Sequence, residues 1–137
     1  DDESVDETLA DELLRYDSPV QTSGRRMMHG VEIGGVEVPS GEMVLTALGS
    51  ANRDPRFWGD TAGQLDVTRA DANRHMSFGS GVHHCLGAAL ARMEGEIAVT
   101  RLVRRFPDLA LAAEPTYNAR IILRGREAMP VALGQPA

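Results

Sequence analysis

Apolar residues recur at helical spacing near the start of the chain. Val5, Leu9 and Leu13 are four residues apart, and Leu14 lies beside them. Acidic residues crowd the first half of this segment, where the positive end of a helix dipole favours negative charge. The spacing predicts a helix from Ser4 to Tyr16.

A change to strict alternation follows in the string VEIGGVEV, residues 31–38. It predicts two strands joined by a two-residue turn at Gly34 and Gly35, because glycine readily adopts the positive φ that this turn requires. One face of this hairpin would carry all four apolar residues: Val31, Ile33, Val36 and Val38.

The segments around this hairpin have weaker patterns. Loop is expected for 17–24, a short strand for RRMM (25–28), and a further strand for EMVLT (42–46) that leads into a short helix at 47–52. Residues 53–73 are polar with little periodicity. A loop of about 20 residues in a compact domain usually has a function.

A second, longer helix is predicted from Leu86 to about Phe106. It has two apolar stripes on nearly opposite faces: Leu86, Ala89, Leu90, Met93 and Ile97 on one, and Val99, Leu102, Val103 and Phe106 on the other. A surface helix needs only one stripe, so the pattern predicts a helix that passes through the interior. After Pro107, the apolar runs 109–113, 119–123 and 129–133 predict small strands in hairpins.

Composition narrows the class of protein. The 137 residues include 42% hydrophobic and 25% charged residues, which is typical of one globular domain. A net charge of −6 argues against nucleic acid as the main partner, since phosphate binding needs clustered positive charge. The sequence contains no apolar run of 18 residues that would predict a membrane span. With a single cysteine no internal disulfide can form, and a reducing cytoplasmic setting is expected.

That cysteine, Cys85, precedes the second helix in a loop with Gly79, Gly81 and Gly87. The free N–H groups of a helix start favour a thiolate, and the glycines let the backbone bend and a bulky group approach. From the residues alone, four interpretations stay open. They are a buried structural cysteine, a Cys/His nucleophile with His83 or His84, a zinc site that adds His75, and a single axial thiolate on heme iron.

The loop FGSGVHHCLG, residues 78–87, resembles the cysteine-ligand loop of the cytochrome P450 monooxygenases, whose pattern is Phe-Gly-x-Gly-x-His-x-Cys-x-Gly. ELLR at 12–15 is similar to the Glu-x-x-Arg helix of that family, ANRDPRFW (51–58) and LDVTR (65–69) to its meander, and LVRRFPDLAL (102–111) to the segment after the ligand helix. The resemblance, which is to the soluble bacterial branch, implies an α+β fold: the C-terminal portion of the cytochrome P450 fold.

For the loop, the resemblance implies heme b with Cys85 as the axial iron ligand. N–H groups at the helix start, including that of Gly87, would hydrogen-bond the sulfur, and Phe78 with Gly79 would pack beside it. His83 and Arg25 would hold the heme propionates, for which the guanidinium of arginine is well suited.

The resemblance also implies a buried ion network of Glu12, Arg15 and a meander arginine, for which Arg69 is preferred to Arg53. Two loops would reach substrate, with candidate contacts at Pro19, Val20 and Ile121. An acidic ferredoxin would dock on the proximal face of the heme. The candidate docking residues are His84, Arg92, Arg101, Arg104 and Arg105.

The similarity covers the whole chain but only about the last third of the family fold. We therefore expect residues 1–137 to be a partial heme-thiolate monooxygenase domain, without the oxygen-activating helix. In the intact enzyme the function would be insertion of one oxygen atom of O₂ into a small organic substrate. The alternative is a truncated, non-catalytic product that binds heme weakly or not at all, and that forms oligomers.

Overall fold

A computed structural model describes the backbone of residues 3–137 and the side chains from residue 8 onward. It has four α-helices and eight short strands in that range. The helices are α1 (Glu3–Tyr16), α2 (Leu48–Ala51), α3 (Pro55–Trp58) and α4 (Ala88–Arg105). The strands are β1 (Thr22–Arg26), β2 (Val31–Ile33), β3 (Val36–Val38), β4 (Met43–Ala47), β5 (Ala110–Leu111), β6 (Thr116–Tyr117), β7 (Arg126–Ala128) and β8 (Val131–Ala132).

Helices α1 and α4 are both close to their predicted bounds and pack against each other. Gly95 of α4 lies opposite Ala10 of α1, since a Cβ added at Gly95 would be in ordinary contact with the Cβ of Ala10 at 3.6 Å. The face of α1 that is most buried carries Asp11, Glu12 and Arg15 rather than leucine. The side chain of Val5, the first residue of the predicted stripe, lies outside the described residues.

The predicted hairpin is present as β2 and β3. Gly34 and Gly35 have φ of 59° and 81°, the positive values of a type I′ turn. Val31 pairs with Val38 and Ile33 with Val36, so the apolar residues share one face. The neighbouring strand prediction was displaced: β1 covers 22–26 rather than 25–28, because Thr22 to Arg26 pair antiparallel with Ala47 to Met43 of β4.

The long polar stretch contains structure that its weak periodicity did not predict. Helix α3 begins after Asp54, whose carboxylate accepts the N–H of Arg56 at 2.9 Å, and Pro55 occupies the first turn. Trp58 is buried and donates its Nε1–H to the carbonyl of Ala51 at 3.0 Å. The capping aspartate followed by proline was a local signal for this helix.

The C-terminal strands are arranged differently from the prediction. Strands β6 and β7 form one hairpin, and β5 and β8 pair around it. The predicted strand at 119–123 is wrong, since that run forms only one isolated bridge, from Leu123 to Val20. Its apolar residues Ile121 and Ile122 are exposed instead.

The core of the described chain is small and largely polar. Its buried hydrophobic residues are mostly alanine, and its largest fully buried side chains are Arg15, Glu12 and Asn52. The chain exposes 9723 Å², whereas a compact monomer of 14.8 kDa would expose about 7,000 Å². The excess indicates that broad faces lie uncovered.

Helix α4 accounts for part of this excess. The prediction that it passes through the interior is wrong for this chain, because both stripes are exposed at their larger residues: Leu86, Leu90, Met93, Ile97, Leu102 and Val103. The helix buries only Ala88 and Thr100. Two apolar stripes need two neighbours, and packing against α1 covers only part of the helix.

We expect the isolated chain to self-associate through these stripes, because contiguous exposed apolar surface favours association. Light scattering during size exclusion should give a mass above 14.8 kDa. Met93→Glu should lower that mass, whereas Glu94→Gln, on an exposed polar position beside it, should leave it unchanged. A monomeric wild-type chain would contradict this expectation.

Candidate functional site

A buried ion pair joins two residues of α1 that are one turn apart. Arg15 donates from Nε to Oε2 of Glu12 at 2.6 Å and from Nη2 to Oε1 at 2.8 Å, so the pair is bidentate. Both side chains are fully inaccessible to solvent. A bidentate pair of this kind fixes the orientation as well as the position of the guanidinium.

The remaining donors of Arg15 bind the mostly irregular segment 52–66, which follows α2 in the chain. Nη1 donates to the carbonyls of Asn52 and Ala62 at 2.7 and 2.8 Å, and Nη2 donates to that of Gln64 at 2.8 Å. The backbone N–H of Asp66 donates to Glu12 at 2.8 Å. The pair therefore anchors 52–66 against α1 although this segment has little regular structure.

Arg69 is the third member of the cluster. Its Nε lies 3.3 Å from Oε2 of Glu12, an ion contact without hydrogen-bond geometry, and its Nη2 donates to the carbonyl of Thr61 at 3.1 Å. Arg53, the other meander arginine considered, instead donates its Nε to the carbonyl of Tyr16 at 2.8 Å.

The charges around Glu12 set its protonation state. Burial alone would raise the pKa of Glu12, but the hydrogen bonds from Arg15 and Asp66 and the positive charges of Arg15 and Arg69 outweigh it and lower the pKa. Because the folded state holds the carboxylate, its contribution to stability is present above the ordinary glutamate pKa. It is lost as the pH falls through the lowered value.

A second buried cluster connects α1 to the residues just before the cysteine loop. Asn52 donates its amide to the hydroxyl oxygens of Ser18 and Ser77 at 2.6 and 2.9 Å, and its carbonyl oxygen accepts the N–H of Met76 at 2.6 Å. Ser77 donates its hydroxyl to the carbonyl of Leu14 at 2.7 Å. The entry to the loop is therefore fixed to the C-terminal end of α1.

Three further ionisable residues, Asp11, His75 and Arg92, form a third cluster beside α1. Asp11 accepts from Nε of Arg92 at 2.6 Å and contacts Nε2 of His75 at 3.0 Å. Burial lowers the pKa of His75, and the hydrogen bond and charge of Asp11 oppose this shift without cancelling it. This cluster ties α1, α4 and the loop entry together.

The loop itself turns sharply at two glycines. Gly79 and Gly81 have φ of 70° and 66°, which other residues adopt with strain. The carbonyl of Phe78 accepts the N–H of Cys85 at 2.9 Å and so closes the loop across its base. The carbonyl of Cys85 accepts the N–H of Ala88, the first residue of α4, at 3.2 Å.

Cys85 is exposed at the outside of this closed loop, which is contrary to the interpretation as a buried structural cysteine. A Cβ at Gly87 would lie 3.9 Å from its Sγ, in ordinary contact. The zinc interpretation also fails within the described residues, where no three His, Cys, Asp or Glu side chains are grouped to hold a metal. His84 lies with Nδ1 3.4 Å from the carbonyl of Gly79.

A cleft of about 300 Å³ separates the loop from the β1–β4 sheet. Arg25 lines it from β1 and Gly79 from the loop, together with Ser23, Met76 and Ser80. The Arg25 guanidinium is exposed and donates to the hydroxyl of Ser23 and the carbonyl of Gly24 at 2.7 and 2.8 Å. His83 is also exposed.

The two loops expected to reach substrate are joined to each other. Arg124 donates its N–H to the carbonyl of Pro19, and Gln21 donates its N–H to that of Ile122, both at 2.8 Å. Val20 forms the bridge to Leu123 between them. Ile121 is exposed at the tip of its loop.

The arginines expected on a docking face do not share one environment. Arg92 is half-buried between Asp11 and the Phe78 ring, with its Cζ 4.8 Å from the ring centroid. Arg101, Arg104 and Arg105 lie on an exposed face toward the other end of α4. The Cζ of Arg105 lies 5.6 Å from the ring centroid of Phe106.

Comparison with known proteins now gives the family. The family model described as Cytochrome P450 matches residues 7–115, which is most of the chain. The chain belongs to the cytochrome P450 family. The described helices and small sheets are accordingly a portion of the cytochrome P450 fold, as the α+β prediction stated. Among the described residues no helix is long and apolar enough to cross a membrane.

Individual relatives agree with the family match. The chain is 43% identical to 6-deoxyerythronolide B hydroxylase of Saccharopolyspora erythraea, with 96% of the chain aligned to 33% of the relative. It is 44% identical to vitamin D(3) 25-hydroxylase of Pseudonocardia autotrophica, with 98% aligned to 34%. A solved cytochrome P450, PksS of Bacillus subtilis, superposes with a TM-score of 0.90 at 40% identity over 98% of this chain and 35% of its own.

The chain thus spans about a third of the length of the curated cytochromes P450 that it matches. The residues present fit the heme that the family implies, on two observations. The thiol of Cys85 is exposed, a Cβ added at Gly81 would meet nothing within 4 Å, and Arg25 lines a cleft that Gly79 and Ser80 of the same loop also line. Leu86 and Val82, on either side of Cys85, are almost wholly exposed and offer an apolar surface to a flat ring.

Three residues in this region, Asn52, Ser77 and Asp11, were not predicted from the sequence, and His75 was considered only as a zinc ligand. All four are buried and hydrogen-bonded across long sequence separations. Local pattern gives no signal for such pairs. The only available signal was the position of His75 three residues before the glycine-rich loop.

We expect Arg15→Ala to lower the free energy of unfolding by about 3 to 5 kcal/mol, because it leaves the buried Glu12 carboxylate without its partner. Urea denaturation followed by circular dichroism measures this cost. Arg53→Ala is the matched control: it also removes an arginine from the same region, but from an exposed position. Equal effects of the two substitutions would contradict the importance of the buried pair.

Proposed function

We propose that this chain forms the heme-ligand side of a cytochrome P450 monooxygenase, with Cys85 as the axial ligand of heme b. The observation that carries the proposal is the exposed thiol of Cys85 on a closed, glycine-turned loop at the start of α4. A ligand must be accessible and held in place. The hydrogen bond from Cys85 to the Phe78 carbonyl and the buried clusters behind the loop meet the second requirement.

The proposed reaction is insertion of one oxygen atom of O₂ into a small organic substrate. Bound heme would supply the oxygen chemistry, with the thiolate donating electron density to the iron. The residues of this chain would bind and orient the cofactor. Arg25 and His83 are proposed for the propionates, Phe78 and Gly79 for the surroundings of the sulfur, and the N–H of Gly87 as a hydrogen-bond donor to it.

The reaction class is better supported than the substrate. Two relatives are named as hydroxylases of different compounds, 6-deoxyerythronolide B and vitamin D(3). Pro19, Val20 and Ile121 are proposed to contact substrate as one unit, since hydrogen bonds between 19–21 and 122–124 join the two loops. Two backbone hydrogen bonds and one bridge thus fix the two loops relative to each other.

The uncovered faces support the view that the chain acts as part of a larger heme domain. Both stripes of α4 are exposed, and the accessible area exceeds that of a compact protein of this mass. The same observation supports the alternative, a non-catalytic product that binds heme weakly or not at all and associates through these faces. Stable binding of heme by the purified chain, with thiolate ligation, would contradict the alternative.

We expect the purified chain to bind added hemin and, after reduction under carbon monoxide, to give the shifted Soret band of a thiolate-ligated heme. Cys85→Ser should abolish that shift, because a serine hydroxyl stays protonated and does not replace a thiolate. Its small change in volume at an exposed site should leave the circular dichroism spectrum unaltered. Identical spectra for wild type and Cys85→Ser would contradict the proposed ligand.

We further propose that an acidic ferredoxin docks on the proximal face through Arg101, Arg104 and Arg105. The proposal is supported by the exposure of these three arginines on one region of α4. Reversal of charge at Arg104 and Arg105 to glutamate should weaken ferredoxin binding in calorimetry, and more strongly at low salt, because exposed charges steer association. Reversal at the distant, exposed Arg56 is the control. Unchanged binding in the double variant would contradict this docking site.

A further inference from the structure

His75 is a buried ionisable residue with a fixed tautomer. Its Nδ1 accepts the backbone N–H of Ser77 at 3.0 Å, so its proton resides on Nε2, which donates to Asp11 at 3.0 Å. Only 6% of the residue is exposed. Burial, which lowers the pKa of His75, is consistent with a neutral ring that makes one donor and one acceptor bond.

Both partners of the Asp11 carboxylate also contact the same aromatic ring. The His75 ring centroid lies 5.4 Å from that of Phe78, in a tilted arrangement. The guanidinium Cζ of Arg92 lies 4.8 Å from the Phe78 centroid, within range of a cation–π interaction. Phe78 therefore contacts a neutral imidazole and a cation that are both bound to one carboxylate.

Phe78 in turn holds the cysteine, since its carbonyl accepts the Cys85 N–H at 2.9 Å. We propose that Asp11, His75 and Arg92 are positioning residues that fix the Phe78 ring and, through the Phe78 carbonyl, the backbone of Cys85. This inference rests on the proposed function only where it concerns heme ligation by Cys85. The coupling of His75 to Cys85 can be measured without heme.

A merely structural role would give a different result. If the cluster only joined α1 to α4, its loss would loosen both helices and the loop to the same extent. If it positions Phe78, the amide of Cys85 should lose protection while the amide that closes the C-terminal end of α1, that of Asp17 bonded to the Leu13 carbonyl at 3.0 Å, keeps its protection. Hydrogen exchange resolves local opening of this kind.

The experiment measures amide exchange by NMR in the chain without heme, for three substitutions of His75. His75→Phe keeps the ring volume but removes both hydrogen bonds. His75→Gln keeps a donor toward Asp11, and His75→Asn keeps an acceptor toward Ser77. We expect His75→Phe to speed exchange at Cys85 about tenfold relative to Asp17, which corresponds to one charge-assisted hydrogen bond, and His75→Gln to restore most of the protection.

Arg92→Gln tests the same coupling at a half-exposed position, should His75→Phe fail to fold. It should also speed exchange at Cys85 relative to Asp17, whereas Arg101→Gln, at an exposed position of the same helix, should not. Equal acceleration at Cys85 and Asp17, or none at Cys85, would overturn the inference.

A heme-loaded measurement completes the test. Under carbon monoxide, His75→Phe should lose the thiolate-type Soret band in part and His75→Gln should regain it. A wild-type chain that lacks this band contradicts the proposed function alone, because the exchange result is independent of heme. A full band in His75→Phe together with unchanged exchange overturns the positioning role.

Discussion

The ion pair of Glu12 and Arg15 is the interaction on which the rest of this structure depends. Burial of both charges costs several kcal/mol for each ion, and only a fully satisfied geometry offsets it. Here the guanidinium donates to the carboxylate and to three backbone carbonyls, and the carboxylate also accepts a backbone N–H. Outside the short helix α3, which has its own cap, the segment 52–66 is therefore held in place by the hydrogen bonds of one arginine.

Polar contacts also fix the position of the cysteine loop relative to α1. The apolar core supplies mostly alanines, which bury little area each. Asn52 and Ser77 connect α1 to the loop entry, and Asp11 with His75 and Arg92 connects it to α4 and to Phe78. Hydrogen bonds are directional, whereas apolar burial is not. A core of this kind fixes the geometry near Cys85 through directional contacts.

The local sequence pattern predicted those elements whose structure is determined by neighbouring residues in the chain. The two long helices follow from periodicity, and the hairpin from Gly34 and Gly35. Strands β6 and β7 are two and three residues long, and such strands exist only because a partner is opposite, which a single run of residues does not encode. The family motif indicated Glu12, Arg15 and Arg69 as a group. It gave no indication of His75 and Asp11, which are 64 residues apart.

The side chain of Cys85 is exposed, but its backbone is fixed, unlike that of a mobile loop. Its N–H is bound to Phe78, its carbonyl accepts from Ala88 of α4, and the turn between is made by two glycines at positive φ. Each end of the loop is anchored to a helix that the buried clusters hold in place. Only the side chain is free to meet a partner. An accessible atom on a pre-ordered backbone loses little entropy when it binds, and the proposed role of Cys85 as an iron ligand requires such an atom.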